Sequence, residues 1–501
     1  MVSKELNASD KQVAISKAAK PNPMAESVNR FATIVRNVSY LAISMGIGKF
    51  SGMIIYVILA RYIGPSSVGQ YAFAVSFTML FTAISDLGLN VVIVRTVASD
   101  HSKLNHYLGN IILLRTILSL IAFVVILIVV ALSGLSADLS LLIWIIAGAT
   151  VFSTVGLGYR WAFQSEEKLQ YESLLSSAEG ILLIGGWLVV LSTGYGLIEI
   201  AYVRLGVSLA ICGVGLVIVL RRIGKPSLDL SRPFWIALLA TAAPFMIMAV
   251  CNRISTNLDT VLLGYLKGDT ETGRYNLGYR LAVLLQTMAM IFQLAIYPAI
   301  IKAVNTSAEE FHRVAQRGLR YTIILAFWIG VITTLYAKPV LTLIYGDHYE
   351  NVATVLRILI WTNCFMLIAT AGTGILFAFH KDRLLLKIIL LNLGINLSMN
   401  LLLIYPLGAE GAAIAILLSE GITFGLIMFQ VWRHCKALPI FGLLIRPLFV
   451  AGLAALPFFY LNSLPPLITL GILSVAYLSG LLLLGAIPEE DRRLAVSVLK
   501  G

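Results

Sequence analysis

Six basic side chains stand inside long apolar stretches of the 501-residue chain: Lys49, Arg115, Arg204, Arg253, Arg280 and Arg357. Four carboxylates do the same: Asp86, Glu179, Asp259 and Glu420. A charge at the centre of a bilayer costs about 2.5–3.5 kcal/mol on insertion scales, so such groups turn towards protein or water rather than lipid. Fixed cations held there are ligands for an anion, and they replace the hydration that a phosphate oxygen would otherwise lose. Lys49 and Arg253 lie near the middle of their stretches and Arg280 near one end of its own, which makes these three the candidate anion ligands. Arg115, Arg204 and Arg357 lie a turn or two from an interface and read as snorkelling cations. A buried carboxylate can exchange a proton or a sodium ion as its surroundings change, and Glu179 and Asp259 are the candidates for that role. Asp86 and Glu420 read as structural hydrogen-bond partners.

The elements that must position these groups are membrane spans. The chain is 59% hydrophobic and 12% charged, with mean hydropathy +0.90. Soluble domains carry about 25% charge, so a soluble fold and a disordered chain are both excluded. Fourteen stretches reach the ~20 apolar residues a spanning helix needs. They run over 38–60, 71–94, 108–132, 139–158, 170–192, 198–219, 235–265, 274–300, 318–337, 351–378, 385–405, 410–432, 442–462 and 466–486. The runs are continuous rather than alternating, which excludes a closed β-barrel. The fold class is therefore an all-α membrane protein of about fourteen transmembrane helices. Lys and Arg divide unevenly: of 37, the tails and even-numbered connections hold 27, the odd-numbered connections four and the spans six. By the positive-inside rule both termini face the cytoplasm. Met24, Val28, Phe31 and Val35 recur at helical spacing in the tail, so 24–36 reads as a short helix on the inner leaflet.

The chain also echoes itself. Tyr62, Gly69 and Tyr71 return as Tyr265, Gly273 and Tyr275, and Gly158-Tyr-Arg-Trp-Ala-Phe-Gln164 returns as Gly374-Ile-Leu-Phe-Ala-Phe-His380. Each repeat holds an even number of spans, so the halves keep one orientation and are related by an axis along the membrane normal. The expected organisation is a cytoplasmic tail (1–36), an N-lobe of spans 1–6 (37–225), a C-lobe of spans 7–12 (226–434), spans 13–14 (435–487) and a cytoplasmic C-terminus (488–501). Two like-oriented six-helix lobes around a central cavity describe a transporter. The repeat sets Lys49 opposite Asn252, beside Arg253, at equivalent depth.

Several chemistries find no support. Gly48-Lys49 and Gly224-Lys225 lack the Ser/Thr and glycine spacing of a phosphate loop. There is no HExxH, and Cys212, Cys251, Cys364 and Cys435 have no metal-ligand spacing. No cofactor, metal or nucleic-acid partner is expected. A membrane-embedded glycan polymerase or ligase would want a large outer loop carrying Arg and His, and the longest, about 338–350, offers only Lys338 and His348.

Further residues carry a family likeness. They are Leu-Ala-Arg-Tyr-Ile-Gly-Pro-Ser-Ser-Val-Gly-Gln-Tyr (59–71), Asp86-Leu-Gly-Leu89, Asp259-Thr-Val-Leu-Leu-Gly-Tyr265, Gly273-Arg-Tyr-Asn276, Tyr279-Arg-Leu281, Tyr345-Gly-Asp-His-Tyr349, Asn396-Leu-Ser-Met-Asn400 and Gly408-Ala-Glu-Gly411 through Ser419-Glu420. In their order and spacing the chain resembles the polysaccharide flippase family of the multidrug/oligosaccharidyl-lipid/polysaccharide exporter superfamily, from about 37 to 486. That resemblance implies movement of a polyprenyl-phosphate- or diphosphate-linked oligosaccharide from the cytoplasmic to the outer leaflet of the cell membrane by alternating access, for surface glycan synthesis. Lys49, Arg253 and Arg280 would then meet the phosphates. The partners it implies are the lipid-linked oligosaccharide, membrane lipid and glycan-assembly proteins. The alternative in the same superfamily is a multidrug or cation antiporter, which calls for an acidic cavity.

Overall fold

Backbone N–H and C=O groups in hydrocarbon must be satisfied within their own segment or in a closed barrel. The computed structural model describes residues 46–48, 50–86, 104–166, 168–229, 231–284, 303, 306–379, 381–435, 438–461, 464–489 and 491–493, and among them every regular element is a helix. In chain order these are α1 (50–62), α2 (Pro65–Asp86), α3 (Leu104–Leu132), α4 (Ala137–Ser165), α5 (Leu169–Ser192), α6 (Leu197–Arg222), α7 (Arg232–Lys267) and α8 (269–284). Then come α9 (Ala308–Tyr345), a 3-10 turn (Asp347–Tyr349), α10 (Val352–Ala378), α11 (382–407), α12 (409–434), α13 (Ile440–Tyr460) and α14 (Pro466–Leu483). Nine helices of the described residues are long and apolar enough to cross a membrane. The expected interfacial helix at 24–36 and Lys49 lie outside the described residues.

Helices α11 and α12 form one run of 53 residues, Asp382–His434. Straight, it would extend ~80 Å at 1.5 Å per residue, against a hydrocarbon core of ~30 Å. Gly408 breaks it with φ 57° and ψ −130°, a backbone state that glycine enters without a Cβ clash. The chain restarts under a borrowed cap. The Ala409 N–H donates to the Glu271 carboxylate at 2.8 Å, and Glu271 in turn accepts from Arg274 at 2.8 Å. Other helices run past their apolar stretches. Helix α9 reaches from Ala308, capped by the Ser307 hydroxyl, to Tyr345, and α4 continues to Ser165.

Buried apolar residues show how the halves meet. At the predicted outer end, one core joins Ile55, Leu59 and Tyr71 of the first half to Leu263, Tyr275, Leu341 and Ala412 of the second. Towards the other end the core divides. One branch gathers Leu108, Tyr159, Phe163 and Ile211, and the other gathers Phe311, Ile323, Ile368, Val431 and Tyr477. Polar clasps reinforce the joined end. Arg61 donates to the carbonyls of Ile344 (2.8 Å) and Leu343 (2.6 Å), satisfying the C-terminus of α9, and Tyr349 donates to the Ala60 carbonyl at 2.6 Å.

Glycines of the sequence echo sit in the middle of this contact. A methyl added at Gly69 would run into the Asp269 carbonyl, and one at Gly273 into the Pro65 carbonyl. Residues 69 and 273 differ by 204, as do 65 and 269, so each repeat copy packs on the other reciprocally. Reciprocity of this kind marks a two-fold relation. It explains why glycine stands at both positions: two helix starts cross backbone to backbone.

The opposite end is tied within each half. The connection after α6 lies on α3, with the Asp229 N–H donating to Asn110 (3.3 Å) and the Trp235 ring N–H donating to the Asp229 carbonyl (2.8 Å). The Ser231 N–H bonds the half-buried Asp229 carboxyl and holds it below its usual range. In the second half Asp491 bridges Arg317 at 2.9 Å and Arg320 at 3.9 Å, and accepts from the Tyr321 hydroxyl at 2.7 Å.

Candidate functional site

Several of the embedded charges gather in two cavities and one buried cluster. The larger cavity, about 510 Å³, opens among α1, α4, α5, α6 and α8. Arg160, Arg204 and Arg280 line it with Glu172 and Glu179, beside Ser51, Ser153, Ser176 and Ser208. Arg160 is there because α4 continues to Ser165; the hydropathy reading had assigned it to a connection. It donates to the Glu179 carboxylate, and Gln164 donates to both Glu172 oxygens at 2.9 and 3.0 Å.

Arg204 and Arg280 are held differently, by phenols. Arg204 donates to the Tyr71 hydroxyl. Arg280 donates to the Tyr56 hydroxyl at 3.0 Å, with its guanidinium carbon 4.4 Å from the centre of that ring. The two tyrosines meet edge to face at 5.9 Å, and Trp187 closes on Tyr71 at 5.2 Å. A phenol orients a guanidinium without cancelling its charge. The buried Nε of Arg280 has no hydrogen-bond partner among the described residues. An unpaired buried donor is costly.

Asp259 lies elsewhere, 2% exposed. Its carboxylate accepts from Tyr275 at 2.9 Å and from Asn400 at 2.6 Å. Asn400 is the last of three asparagines spaced four apart on α11. Asn396 donates to Ser419 (3.4 Å) and Asn392 to Glu420 (2.8 Å), so the stripe is an interhelical hydrogen-bond ladder between α11, α12 and α7. The repeat makes Tyr71 the counterpart of Tyr275. The same tyrosine thus supports a cation in one half and a carboxylate in the other.

A second cavity, about 350 Å³, lies among α7, α8, α10, α11 and α12. Its polar walls are Asn252, Ser255, Thr256, Tyr279, Thr362, Asn363 and Asn392, with Glu420, and no basic residue is among the described lining.

Of the five singled-out site residues, Arg280 and Glu179 share the larger cavity. Arg253 is half-buried with its guanidinium 3.3 Å from the Met79 sulfur on α2, and it lines neither cavity. Asp259 belongs to the α7–α11 cluster, and Lys49 lies outside the described residues. Arg115 is no snorkelling cation. It is 1% exposed, with its guanidinium carbon 4.0 Å from the Trp161 ring centre, because the helix turns it inwards onto an aromatic face. Arg204 also turns inwards. Arg357 is exposed and donates to the Thr334 carbonyl at 3.2 Å, as a snorkelling side chain would. Arg160, Arg204 and Glu172 also line the larger cavity, and Tyr56 holds Arg280 there; of these the sequence reading names Arg204 alone, as a snorkelling cation. Arg160 stands inside the second repeat echo, which was the one available signal.

Comparison with known proteins places this geometry. The profile of a family described as "Polysaccharide biosynthesis protein" matches residues 34–304, and that of the MatE family matches 244–402. The "Putative O-antigen transporter" of Escherichia coli (strain K12) is 23% identical over 414 residues, covering 80% of this chain and 97% of its own. The "Probable flippase AglR" of Haloferax volcanii is 26% identical over 275 residues, 53% of this chain and 55% of its own. Among solved structures, the lipid II flippase MurJ in an inward closed conformation superposes with a TM-score of 0.73 at 15% identity, covering 87% of this chain and 97% of that one. The fold is the all-helical fold of that flippase.

Proposed function

The chain belongs to the polysaccharide biosynthesis protein family, and from that premise we propose that it is a flippase. It carries a polyprenyl-phosphate- or diphosphate-linked oligosaccharide from the cytoplasmic to the outer leaflet. The observation that carries the reading is the pair Arg204 and Arg280, held in the larger cavity by hydrogen bonds to phenols rather than to carboxylates. Two guanidinium groups oriented by hydroxyls suit phosphate oxygens. The same two groups would repel the cationic substrate of an antiporter. The lipid tail stays in hydrocarbon while the headgroup passes through protein.

The supporting frame is a pair of like-oriented lobes, 37–225 and 226–434, followed by spans 13 and 14 (435–487). The reciprocal Gly69 and Gly273 contacts support it. The excess of Lys and Arg in even-numbered connections supports cytoplasmic termini and an inner or plasma membrane location. On that orientation the core is joined outside and divided inside, the form in which a headgroup enters from the cytoplasm. Rocking of the lobes then frees it at the outer leaflet. Lys49 and Arg253 remain proposed headgroup ligands at mid-depth, and Arg280 a proposed ligand nearer the outer surface. Asp259 and Glu179 are the proposed ion-coupling groups. A membrane potential of 100 mV is worth about 2.3 kcal/mol per charge and drives an anion outwards when the inside is negative. The chain acts as a carrier rather than an enzyme, and its partners are the lipid-linked glycan, the bilayer and the glycan-assembly machinery.

The test is leaflet exchange of fluorescent polyprenyl-diphosphate-linked saccharides in liposomes holding the purified protein. Exchange above that of empty liposomes supports the reading, and it slows in the Arg204→Gln/Arg280→Gln double variant. No exchange of any such lipid by folded protein overturns it. Lys49→Ala with Arg253→Ala tests those two assignments separately.

A further inference from the structure

The second cavity has no part yet in that account, and its chemistry differs from the first. Its walls offer amides and hydroxyls, groups that both donate and accept, and a sugar's hydroxyls need both. At about 350 Å³ it reaches the size of ordinary small-ligand pockets, which start at roughly 300 Å³. Thr362 on its wall is 2% exposed, and its hydroxyl has no hydrogen-bond partner among the described residues. The one charged group among the described lining residues is Glu420, with Oε1 bonded to Asn392 at 2.8 Å.

The two cavities share helix α8. Arg280 lines the first and Tyr279, its neighbour in sequence, lines the second. Successive helical residues are about 100° apart round the axis and ~1.5 Å along it, so α8 divides the cavities by a single side-chain step. A sugar attached to a diphosphate on the Arg280 side would reach the second cavity by passing round α8 to the Tyr279 side.

We propose that the cavity of Thr362, Asn363, Asn392 and Glu420 is a sugar subsite, and that Glu420 makes it select uncharged over acidic sugar residues. The proposal rests on the flippase reading and adds to it where the glycan sits and what charge it carries there. A uronate in this cavity would face the Glu420 carboxylate with no described cation in the walls to offset it. A neutral or N-acetylated sugar donates hydroxyls to Glu420 and satisfies Thr362. Phosphates are kept to the Arg280 side by the same carboxylate.

The test compares three probes in the liposome exchange assay: polyprenyl diphosphate, the same lipid carrying one N-acetylglucosamine, and the same lipid carrying one glucuronic acid. Wild-type protein is expected to move the N-acetylglucosamine probe on the order of tenfold faster than the glucuronic acid probe, the size of one like-charge contact at about 4 Å across water. Glu420→Gln keeps an oxygen for Asn392 and is expected to bring the two rates within about threefold of each other, a change in ratio that a general loss of folding would not produce. Thr362→Val should slow the N-acetylglucosamine probe and leave the unsubstituted diphosphate unchanged. Equal wild-type rates for the two sugars, or a ratio unaltered by Glu420→Gln, overturns the subsite while leaving the flippase reading intact. Failure to move any of the three overturns both.

Discussion

Gly69 offers a direct perturbation of lobe movement. Its Cα faces the Asp269 carbonyl so closely that a methyl group has no room, and the obstructing atom is backbone rather than a side chain that could swing aside. Overpacking of this kind costs about 1–3 kcal/mol. Inside a single rigid body Gly69→Ala would therefore lower stability. Between two bodies that come apart in the transport cycle, the penalty falls only on the state in which they touch. Taking about 2 kcal/mol, the equilibrium moves about 30-fold away from the joined outer end, since every 1.4 kcal/mol is tenfold. Gly273→Ala, its reciprocal partner against Pro65, should act in the same direction. The measurement is a distance distribution between spin labels at Tyr62 and Leu343, both exposed beside the Arg61 clasp, with the four native cysteines replaced. Wild type should give one short population, and each alanine variant should add a longer one while the melting temperature stays within a few degrees. Unchanged distances with a sharply lower melting temperature would show the glycines to be ordinary core positions and remove the rocking argument.

Three further outcomes are expected. Arg280→Gln should cut exchange of a diphosphate-linked saccharide at least tenfold, since a charge-assisted hydrogen bond is worth about 1.5–3 kcal/mol; Arg357→Gln, exposed and bonded to a carbonyl, should leave it unchanged in the same assay. Asp259→Asn removes a charge while a polar group still faces Tyr275 and Asn400, so exchange should persist but lose its response to an imposed sodium or proton gradient, read by reversing the gradient. Glu271→Ala uncaps α12 and should cost about 1 kcal/mol of thermal stability. Burial pushes the Glu271 carboxyl up, but the Ala409 N–H and Arg274 more than offset it, leaving it below the usual 4.5. A depressed carboxylate stabilises above its unfolded value and loses that contribution as pH falls; wild-type melting should drop between about pH 4.5 and the lower folded value, and the alanine variant should lack that component.

The sequence was most legible where the bilayer writes the rules. A span must be apolar for about 20 residues, and a buried charge must face inwards, so the helical class and the existence of inward-facing arginines follow from hydropathy. Which arginines share a cavity does not. Arg160 was hidden by the polar end of α4, a helix that outlasts its apolar core. Depth in the span marks Arg253 as the cavity cation and Arg204 as the snorkelling one, yet Arg204 meets a phenol in the cavity and Arg253 a methionine sulfur on α2. The difference lies in helix rotation, which is set by packing partners that periodicity does not name. The glycine echo was legible as a repeat, but its meaning as a backbone crossing needed coordinates. The three asparagines of α11, spaced four apart on one face, all bond to neighbouring helices, a use that such spacing favours.

The charge of the larger cavity bears on how such a carrier releases its load. Arg160 is tied to Glu179, and Glu172 lies close by, so three guanidiniums share the walls with two carboxylates. A ring of unopposed arginines would hold a diphosphate firmly in both inward- and outward-open states. Tight binding that is equal in two states moves no equilibrium, because only differential affinity does. Arrangement matters more here than total charge. Arg280 sits on α8 and grips Tyr56 of α1 from the other repeat, across the very seam that must open, whereas Arg160 and Glu179 pair within one half. When the seam parts, Arg280 leaves Tyr56 and the carboxylates stay, so the cavity's hold on an anion weakens in the state that must let it go. Tyr56→Phe, which removes the grip but keeps the ring, should therefore loosen the inward-open state and alter release more than capture. The readout is single-turnover exchange at saturating lipid; an effect confined to the lipid concentration needed for half-maximal rate would contradict this assignment of roles.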